Sequence, residues 1–488
     1  MNMYIRNEDT ICAPATVPGT GAISVIRVSG PDALTIADKV IKCKKGSISE
    51  SKGYTIKFGA ILDDAGTVLD EVLVSIFRAP HSYTGENSVE ISCHASSYIV
   101  SAVMNLLYAA GARAAEPGEF TQRAFLNGKM DLAQAEAVAD VIASQNAAAH
   151  RIAFKQMKGG FSSELKGMRG ELLELVSLME LELDFSEEEV EFADRSRLDS
   201  LLEQIIAHVG RLIDSFRLGN AIKNGVPVAI AGATNTGKST LLNALLGEDR
   251  AIVSDVHGTT RDTIEETLNI DGILFRFIDT AGLRETSEVV EKIGIERTFK
   301  KISEATIVLG MVDLTRDFDS TSETVQSIVE KVDFKTQKLV FLLNKTDILE
   351  VNNNVSIINY IVSLLDTKGV KCSVFENSGT TCSDVHIIPT SAKTGSGIPD
   401  LRSVLAASQR DLLGDSDTTL VTNQRHVQAL TDARTSLLRV REGLASGLPT
   451  DLAAQDIREA IYHLGSIVGE ISTDEVLGNI FRNFCIGK

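Results

Sequence analysis

The chain has 488 residues, 43% hydrophobic and 23% charged, with a formal net charge of −18. That length exceeds one ordinary core and calls for several domains, and the acidic balance excludes a generally basic nucleic-acid binder while leaving room for a local basic patch or a partner that supplies one. The 6 cysteines lie far apart with no C-x-x-C pair, apolar runs stop short of membrane-spanning length, and Met1 to Glu8 does not read as a signal peptide; a reducing cytoplasm fits better than a disulfide framework, a zinc site or a bilayer.

From Asp9 to about Arg123 the pattern predicts a mixed α/β domain. Strands are expected at Ala22 to Val28, at Glu71 to Phe77, and through Val89, Ile91 and Cys93. Pro80 to Glu86 reads as a turn and Ser97 to Ala110 as a buried helix. Arg27 ends an apolar strand and Glu90 alternates with Val89 and Ile91; on the residues alone these are solvated or salt-bridged charges. His94, beside Cys93, lacks metal-ligand companions.

From Leu132 to about Leu218 the pattern turns helical. Leu172, Leu175, Val176, Met179 and Leu183 share one face, with Glu171, Glu174, Glu180 and Glu182 largely elsewhere. Gly159-Gly160 and the acidic run Asp184 to Glu191 are the expected breaks, the latter as a solvated loop. After Asp415 the chain is helical again, with apolar stripes at Val427, Leu430, Leu437 and Leu438, then Ile457, Ile461 and Leu464. Each stripe needs a partner, so the two helical stretches are expected to pack together around an inserted module.

That module opens with an apolar run, Val226 to Ala231, then Gly232-Ala233-Thr234-Asn235-Thr236-Gly237-Lys238-Ser239, then a helical pattern from Thr240 to Leu246. Strand, glycine-rich turn and helix is the context of a phosphate-binding loop: backbone N–H groups cradle phosphate, Lys238 reaches the terminal phosphates and the Ser239 hydroxyl ligates Mg²⁺. Next come Gly258-Thr259-Thr260-Arg261-Asp262, with Thr260 as a second Mg²⁺ ligand, and a strand, Phe275 to Ile278, that delivers Asp279-Thr280-Ala281-Gly282. Val340 to Leu343 leads to Asn344-Lys345-Thr346-Asp347, and Ile387-Ile388 to Ser391-Ala392-Lys393. The Asp347 carboxylate can accept from guanine N1–H and the exocyclic amine together, a pair adenine does not offer, which selects GTP over ATP. Each motif is weak alone; in this order, each at a strand end, they predict a GTP-binding fold. Leu283 stands where a glutamine would orient water, so the catalytic group must come from elsewhere; Glu285, Glu288, Glu291 and Glu296 are candidates, and each by default is a solvated loop residue.

On these residues the chain resembles the MnmE (TrmE) family of tRNA-modification GTPases nearly end to end. The most specific pieces are Gly258 to Asp262, Asp279 to Glu285, Arg123 to Glu136, and the terminal Phe484-Cys485-Ile486-Gly487-Lys488. A prenylation reading of Cys485 fits less well, since lysine is a poor terminal residue for it.

The resemblance implies an N-terminal α+β tetrahydrofolate-binding and dimerisation domain at 1–127, a discontinuous helical domain at 128–222 and 408–488, and a Ras-like P-loop GTPase α/β domain inserted at 223–407. It implies a cytoplasmic homodimer working with the FAD-containing MnmG subunit, as a heterotetramer. Together they would add an aminomethyl or carboxymethylaminomethyl group to carbon 5 of the wobble uridine of certain tRNAs, using GTP and a 5,10-methylene- or 5-formyl-tetrahydrofolate.

The GTP-contacting positions would be Asn235, Thr236, Gly237, Lys238, Ser239 and Thr240; Ser254, Asp255, Val256, His257, Gly258, Thr259 and Thr260; Asp279, Thr280, Ala281 and Gly282; Asn344, Lys345, Thr346 and Asp347; and Ser391, Ala392 and Lys393. The family's potassium ligands match Asn235, Ser254, Val256 and Thr259, and its water-orienting glutamate matches Glu291. Its folate positions match Arg27, Glu90, Lys129 and Lys488, and its C-terminal cysteine, a possible modification-site residue, matches Cys485.

Two departures stand out. Ala233-Thr234 replaces the arginine and proline of many members, and His94-Ala95-Ser96-Ser97 stands where glycines are usual. Two other readings remain open on the residues: a ribosome-assembly GTPase switch, and a signalling GTPase on a helical scaffold.

Overall fold

The computed structural model describes residues 9–63, 66–184, 195–247, 266–278, 302–303, 305–348, 354–374, 385–409, 419–446, 450–470, 474–482, 484 and 487. The chain forms two compact units, one of Met1–Ala143, Ala153–Ile213 and Gln424–Lys488, the other of Ser144–Ile152 and Asp214–Asn423.

The first unit carries a seven-stranded sheet. In chain order its strands are β1 (Ile11–Pro14), β2 (Ile23–Ser29), β3 (Ile41–Cys43), β4 (Thr55–Leu62), β5 (Val68–Phe77), β6 (Ser88–His94) and β7 (Arg113–Ala114); in space the order is β3-β4-β5-β6-β2-β1-β7. Only the β1–β7 pair is parallel. Alternate residues Ile26, Val28, Val72, Val74, Ile76, Val89 and Ile91 are buried, and they share a core with the helices Ala33–Val40 and Ser97–Ala110. This is the one-sided burial that gives an antiparallel sheet its period of two. The helix Ser97–Ala110 has the bounds its pattern predicts. Strand β5 starts earlier than Glu71 because its pairing with β4 runs out to Leu62 opposite Val68; Asp70 there points inward, its carboxylate accepting from the His94 backbone N–H at 2.8 Å and lying 2.7 Å from His94 Nδ1.

The helical part of this unit buries most of the predicted stripes; Val427 and Leu438 are half-buried, and the Leu183 side chain lies outside the described residues. Leu172, Leu175, Val176 and Met179 lie inside on the helix Gly160–Asp184, with Leu430 and Leu437 on Gln424–Ala445, and Ile457, Ile461 and Leu464 on Thr450–Val468. Thr450–Val468 packs against both other helices, so the two sequence stretches build one core. The break at Gly159-Gly160 is present, between the helices Ala147–Met157 and Gly160–Asp184; the acidic run beyond Asp184 lies outside the described residues.

A buried charge cluster fastens the same stretches. Glu136, on the helix Leu132–Ala143, accepts from Arg425 Nε at 3.0 Å and Nη2 at 2.8 Å, and its Oε2 lies 2.7 Å from His426 Nε2. Arg425 also donates to the carbonyls of Ser466 and Ile467. Burial opposes the Glu136 charge, yet His426 and Arg425 outweigh it and hold the carboxyl at about 2.

The second unit carries another seven-stranded sheet: β8 (Val226–Ala231), β9 (Glu266–Ile270), β10 (Ile273–Phe277), β11 (Ile307–Asp313), β12 (Lys338–Asn344), β13 (Cys372–Val374) and β14 (Val385–Pro389), in the order β13-β14-β12-β11-β8-β10-β9. All neighbours are parallel except β9 and β10. Helices cover both faces, which is why β11 is buried at every residue and reads as an unbroken apolar run up to Asp313. The carboxyl ends of β8, β11, β12 and β14 therefore lie along one edge of the sheet, the edge at which such sheets bind ligands.

The inserted segment enters and leaves at one point. The Val421 N–H donates to Ser215 Oγ at 3.0 Å across 206 residues of chain. A Cβ on Gly219 would lie 2.2 Å from the Val421 carbonyl oxygen, so the close approach requires glycine. Among the described residues no helix is long and apolar enough to cross a membrane.

Candidate functional site

The phosphate loop leaves β8 and runs into the helix Lys238–Gly247. Asn235 takes a left-handed conformation at φ +61°, which asparagine tolerates better than most residues. Gly237 sits at φ +98°, and a Cβ there would lie 2.5 Å from Asn344 Nδ2. Thr236 is buried, and its hydroxyl donates to the Ala233 carbonyl at 2.9 Å, pinning the turn. Lys238 Nζ donates to the carbonyls of Gly232 at 2.9 Å and Ala233 at 2.7 Å. Burial, with a smaller push from the Arg316 charge, pulls its ammonium down to about 8. Ser239 and Thr240 fall in the first helical turn.

Asn344, the last residue of β12, joins the two halves of the site. Its Nδ2 donates to the Thr236 carbonyl at 2.7 Å, and its Oδ1 accepts from the Ala392 N–H at 2.9 Å. The phosphate loop, Asn344 to Asp347 and Ser391 to Lys393 are thereby held as one body. Thr346 bonds the Thr390 carbonyl through both its N–H, at 3.2 Å, and its hydroxyl, at 3.0 Å. The Ser391 hydroxyl donates to Asp347 Oδ1 at 2.7 Å, which orients an exposed carboxylate just beyond the end of β12. Lys345 adopts φ +70° with its ammonium on Asp313 at 2.7 Å.

The structure thus gathers Asn235 to Thr240, Asn344 to Asp347 and Ser391 to Lys393. Ser254, Asp255, Val256, His257, Gly258, Thr259, Thr260, Asp279, Thr280, Ala281, Gly282, Leu283, Glu285, Glu288, Glu291 and Glu296 lie outside the described residues, as do Cys485 and Lys488.

In the first unit, Arg27 and Glu90 face each other across β2 and β6. Arg27 donates to Glu90 Oε1 through Nε at 3.0 Å and Nη2 at 2.8 Å, so both charges are salt-bridged. The guanidinium lies 5.1 Å from the Tyr83 ring centroid and 5.6 Å from that of Phe120. The Tyr83 hydroxyl pairs with Thr121 Oγ1 at 2.8 Å, and burial raises the phenol's pKa. Lys129 reaches the turn that carries Tyr83, its Nζ donating to the Pro80 carbonyl at 2.9 Å. Gly487, in the terminal segment, lies against the end of β1 at Pro14.

The chain matches the MnmE helical domain over residues 132–485 and the GTP-binding protein TrmE N-terminus over residues 10–129. It belongs to the MnmE (TrmE) family. The relative named tRNA modification GTPase MnmE in Parabacteroides distasonis is 52% identical over 483 residues, covering 98% of this chain and 100% of that one. Its namesake in Bacteroides fragilis is 52% identical over 484 residues, covering 99% and 100%. Among solved structures, an Era variant from Aquifex aeolicus bound to GDP·AlF4⁻ is 26% identical over 43% of this chain and 66% of that one, with a TM-score of 0.26.

Within this MnmE-family chain, three residues that touch the candidate positions are not evident from sequence motifs. Asp313 is buried; burial opposes its charge, but Lys345 and Thr315 hold the carboxyl below its usual range. Its signal was positional: β11 pairs with β12 so that Asp313 stands beside Asn344, at the same strand-end layer as the known motifs. Tyr83 and Phe120 frame Arg27 but sit in a turn and a helix that sequence spacing does not connect.

Proposed function

We propose that this chain is a GTPase that serves tRNA modification. The observation that carries the GTPase half is Asn344, whose two bonds fix the phosphate loop against the guanine-reading residues. The tRNA half rests on relatives that match end to end and bear that name.

In the finer reading, loop N–H groups and Lys238 bind the phosphates and Asp347 reads guanine. Ser239 with Thr260 would hold Mg²⁺, and Asn235 with Ser254, Val256 and Thr259 would hold K⁺. The oxygen donors of Ser239 and Asn235, placed along the loop, suit such hard cations. Bound there, the cations would offset charge developing on the β- and γ-phosphates. Glu291 would orient the attacking water in place of the missing glutamine.

Arg27, Glu90, Lys129 and Lys488 would hold a reduced folate. Both Arg27 bonds land on one Glu90 oxygen, and the aromatic rings of Tyr83 and Phe120 lie alongside. A carboxylate beside aromatic faces suits a flat heterocycle rich in N–H donors. The folate would supply the one-carbon unit, and an FAD-containing MnmG partner, in a homodimer-based assembly, would complete the wobble-uridine modification in the cytoplasm.

The test combines GTP hydrolysis by the purified chain with mass spectrometry of tRNA nucleosides from a strain lacking its gene. GTP turnover and loss of the modified wobble uridine are expected. Unchanged nucleosides with intact turnover would leave a GTPase switch acting elsewhere.

A further inference from the structure

The turn after β11 is tied down from several sides. Asp313 Oδ1 accepts from Thr315 N–H at 3.0 Å and Thr315 Oγ1 at 2.7 Å, while Oδ2 takes Lys345 Nζ at 2.7 Å. Leu314 N–H donates to the Asn344 carbonyl at 3.3 Å. The turn so held delivers Arg316 to the phosphate loop, where Nη2 donates to the Thr234 carbonyl.

Charge at this spot is unbalanced. Arg316 Nε stands 3.9 Å from Asp313 Oδ2, against 2.7 Å for Lys345, so the lysine takes most of that carboxylate's charge. Among the described residues, the ion pairs made by Lys345 and Arg316 both run to Asp313, while Lys238 Nζ donates to the carbonyls of Gly232 and Ala233. Among the described residues, three cations thus gather at the phosphate loop and the turn beside it, and two of them share one carboxylate, in a chain whose net charge is −18. An excess of positive charge held in place against an acidic background is suited to a polyanion. Arg316 and Lys238 donate to the adjacent carbonyls of Thr234 and Ala233, so the two cations share the same space. A guanidinium has five donors, and the Thr234 carbonyl takes one.

We propose that Arg316 is a second phosphate-binding cation of this loop, delivered by the Asp313 turn, and that it favours the triphosphate over the diphosphate. The inference rests on the GTPase reading above. The extra phosphate adds negative charge near Lys238, where a charge-assisted fork gains most.

The experiment measures binding of GDP and of a non-hydrolysable GTP analogue to the full chain, for the unaltered protein, Arg316→Lys and Arg316→Gln, over a range of salt. Glutamine keeps a donor for the Thr234 carbonyl and loses the charge; lysine keeps the charge. Circular dichroism melts confirm that each variant is folded. For Arg316→Gln, triphosphate affinity is expected to fall about tenfold, diphosphate affinity by less than about threefold, and the triphosphate salt dependence to flatten. Arg316→Lys keeps the charge and loses the fork, so its triphosphate affinity is expected to fall between those of the unaltered chain and Arg316→Gln. Equal losses for the two nucleotides, with lysine no better than glutamine, would reduce Arg316 to a structural tie and overturn the proposal, as would no loss at all. Absence of guanine-nucleotide binding by the unaltered chain would instead overturn the GTPase reading itself.

Discussion

Replacing Glu136 with glutamine keeps the side chain's shape and removes its charge from beside Arg425 and His426. The carboxyl titrates at about 2 rather than 4.5, which at ~1.4 kcal/mol per tenfold is about 3 kcal/mol of stability at neutral pH. An independent route gives the same size: removing one partner of a buried ion pair costs about 3–5 kcal/mol, because the other charge is left uncompensated. The chain has Trp 0, so tryptophan fluorescence cannot report unfolding, and amide exchange read by mass spectrometry is the better assay. Peptides from Leu132–Ala143 and Gln424–Ala445 should exchange about 100-fold faster in the variant near pH 7. Because the folded pKa is depressed, the contribution is complete above 4.5 and is lost as pH falls through about 2. Variant and unaltered chain should therefore converge on acidification. Exchange within about threefold of the unaltered chain near pH 7, or a gap that acid does not close, would refute the reasoning.

Nucleotide binding should take up protons near pH 8. Lys238 titrates at about 8 in the free site, and a polyphosphate beside it favours the ammonium, so affinity should weaken as pH rises past that value. Calorimetry in two buffers of different ionisation enthalpy reads the uptake directly, and identical heats would contradict it. Gly237→Ala should weaken nucleotide binding by at least about 100-fold in an equilibrium titration, since a left-handed alanine is strained and its Cβ displaces Asn344. Asp347→Asn should lose about 100-fold or more in GTP affinity and gain xanthine-nucleotide binding, because an amide donates to the xanthine oxygen where the carboxylate accepted the guanine amine. Retained guanine preference would mean that another group reads the base.

Much of the nucleotide unit was legible because its strands are buried on both faces. Unbroken apolar runs such as Val226 to Ala231 mark their own limits, and the motifs follow directly at their ends. The helical stripes were legible for a similar reason: Leu172, Leu175, Val176 and Met179 repeat at the helical period and are all inside. What stayed hidden depends on pairings between distant strands and helices. Glu136 stands among alanines, and nothing in its spacing points to Arg425 and His426, which close over it from the far end of the chain. Asp313 ends an apolar strand and gains its role only from the register that sets it beside Asn344. Arg27 and Glu90 were read from the residues as solvated or salt-bridged, and the salt bridge is what β2 and β6 place opposite each other.

The contact between Ser215 and Val421 bears on folding order. It spans 206 residues, and the helical stretches on either side must find each other across that distance. Once the inserted module has folded, its two ends are already adjacent, and the helices confront a loop of only about six effective residues. Loop-closure entropy scales as (3/2)RT ln n, so the shortening relieves the helical pairing of roughly 3 kcal/mol. The nucleotide module thus serves the rest of the chain as a non-covalent staple, equivalent in effect to a cross-link between the two helical stretches. Anything that steadies the module, a bound nucleotide included, tightens that staple.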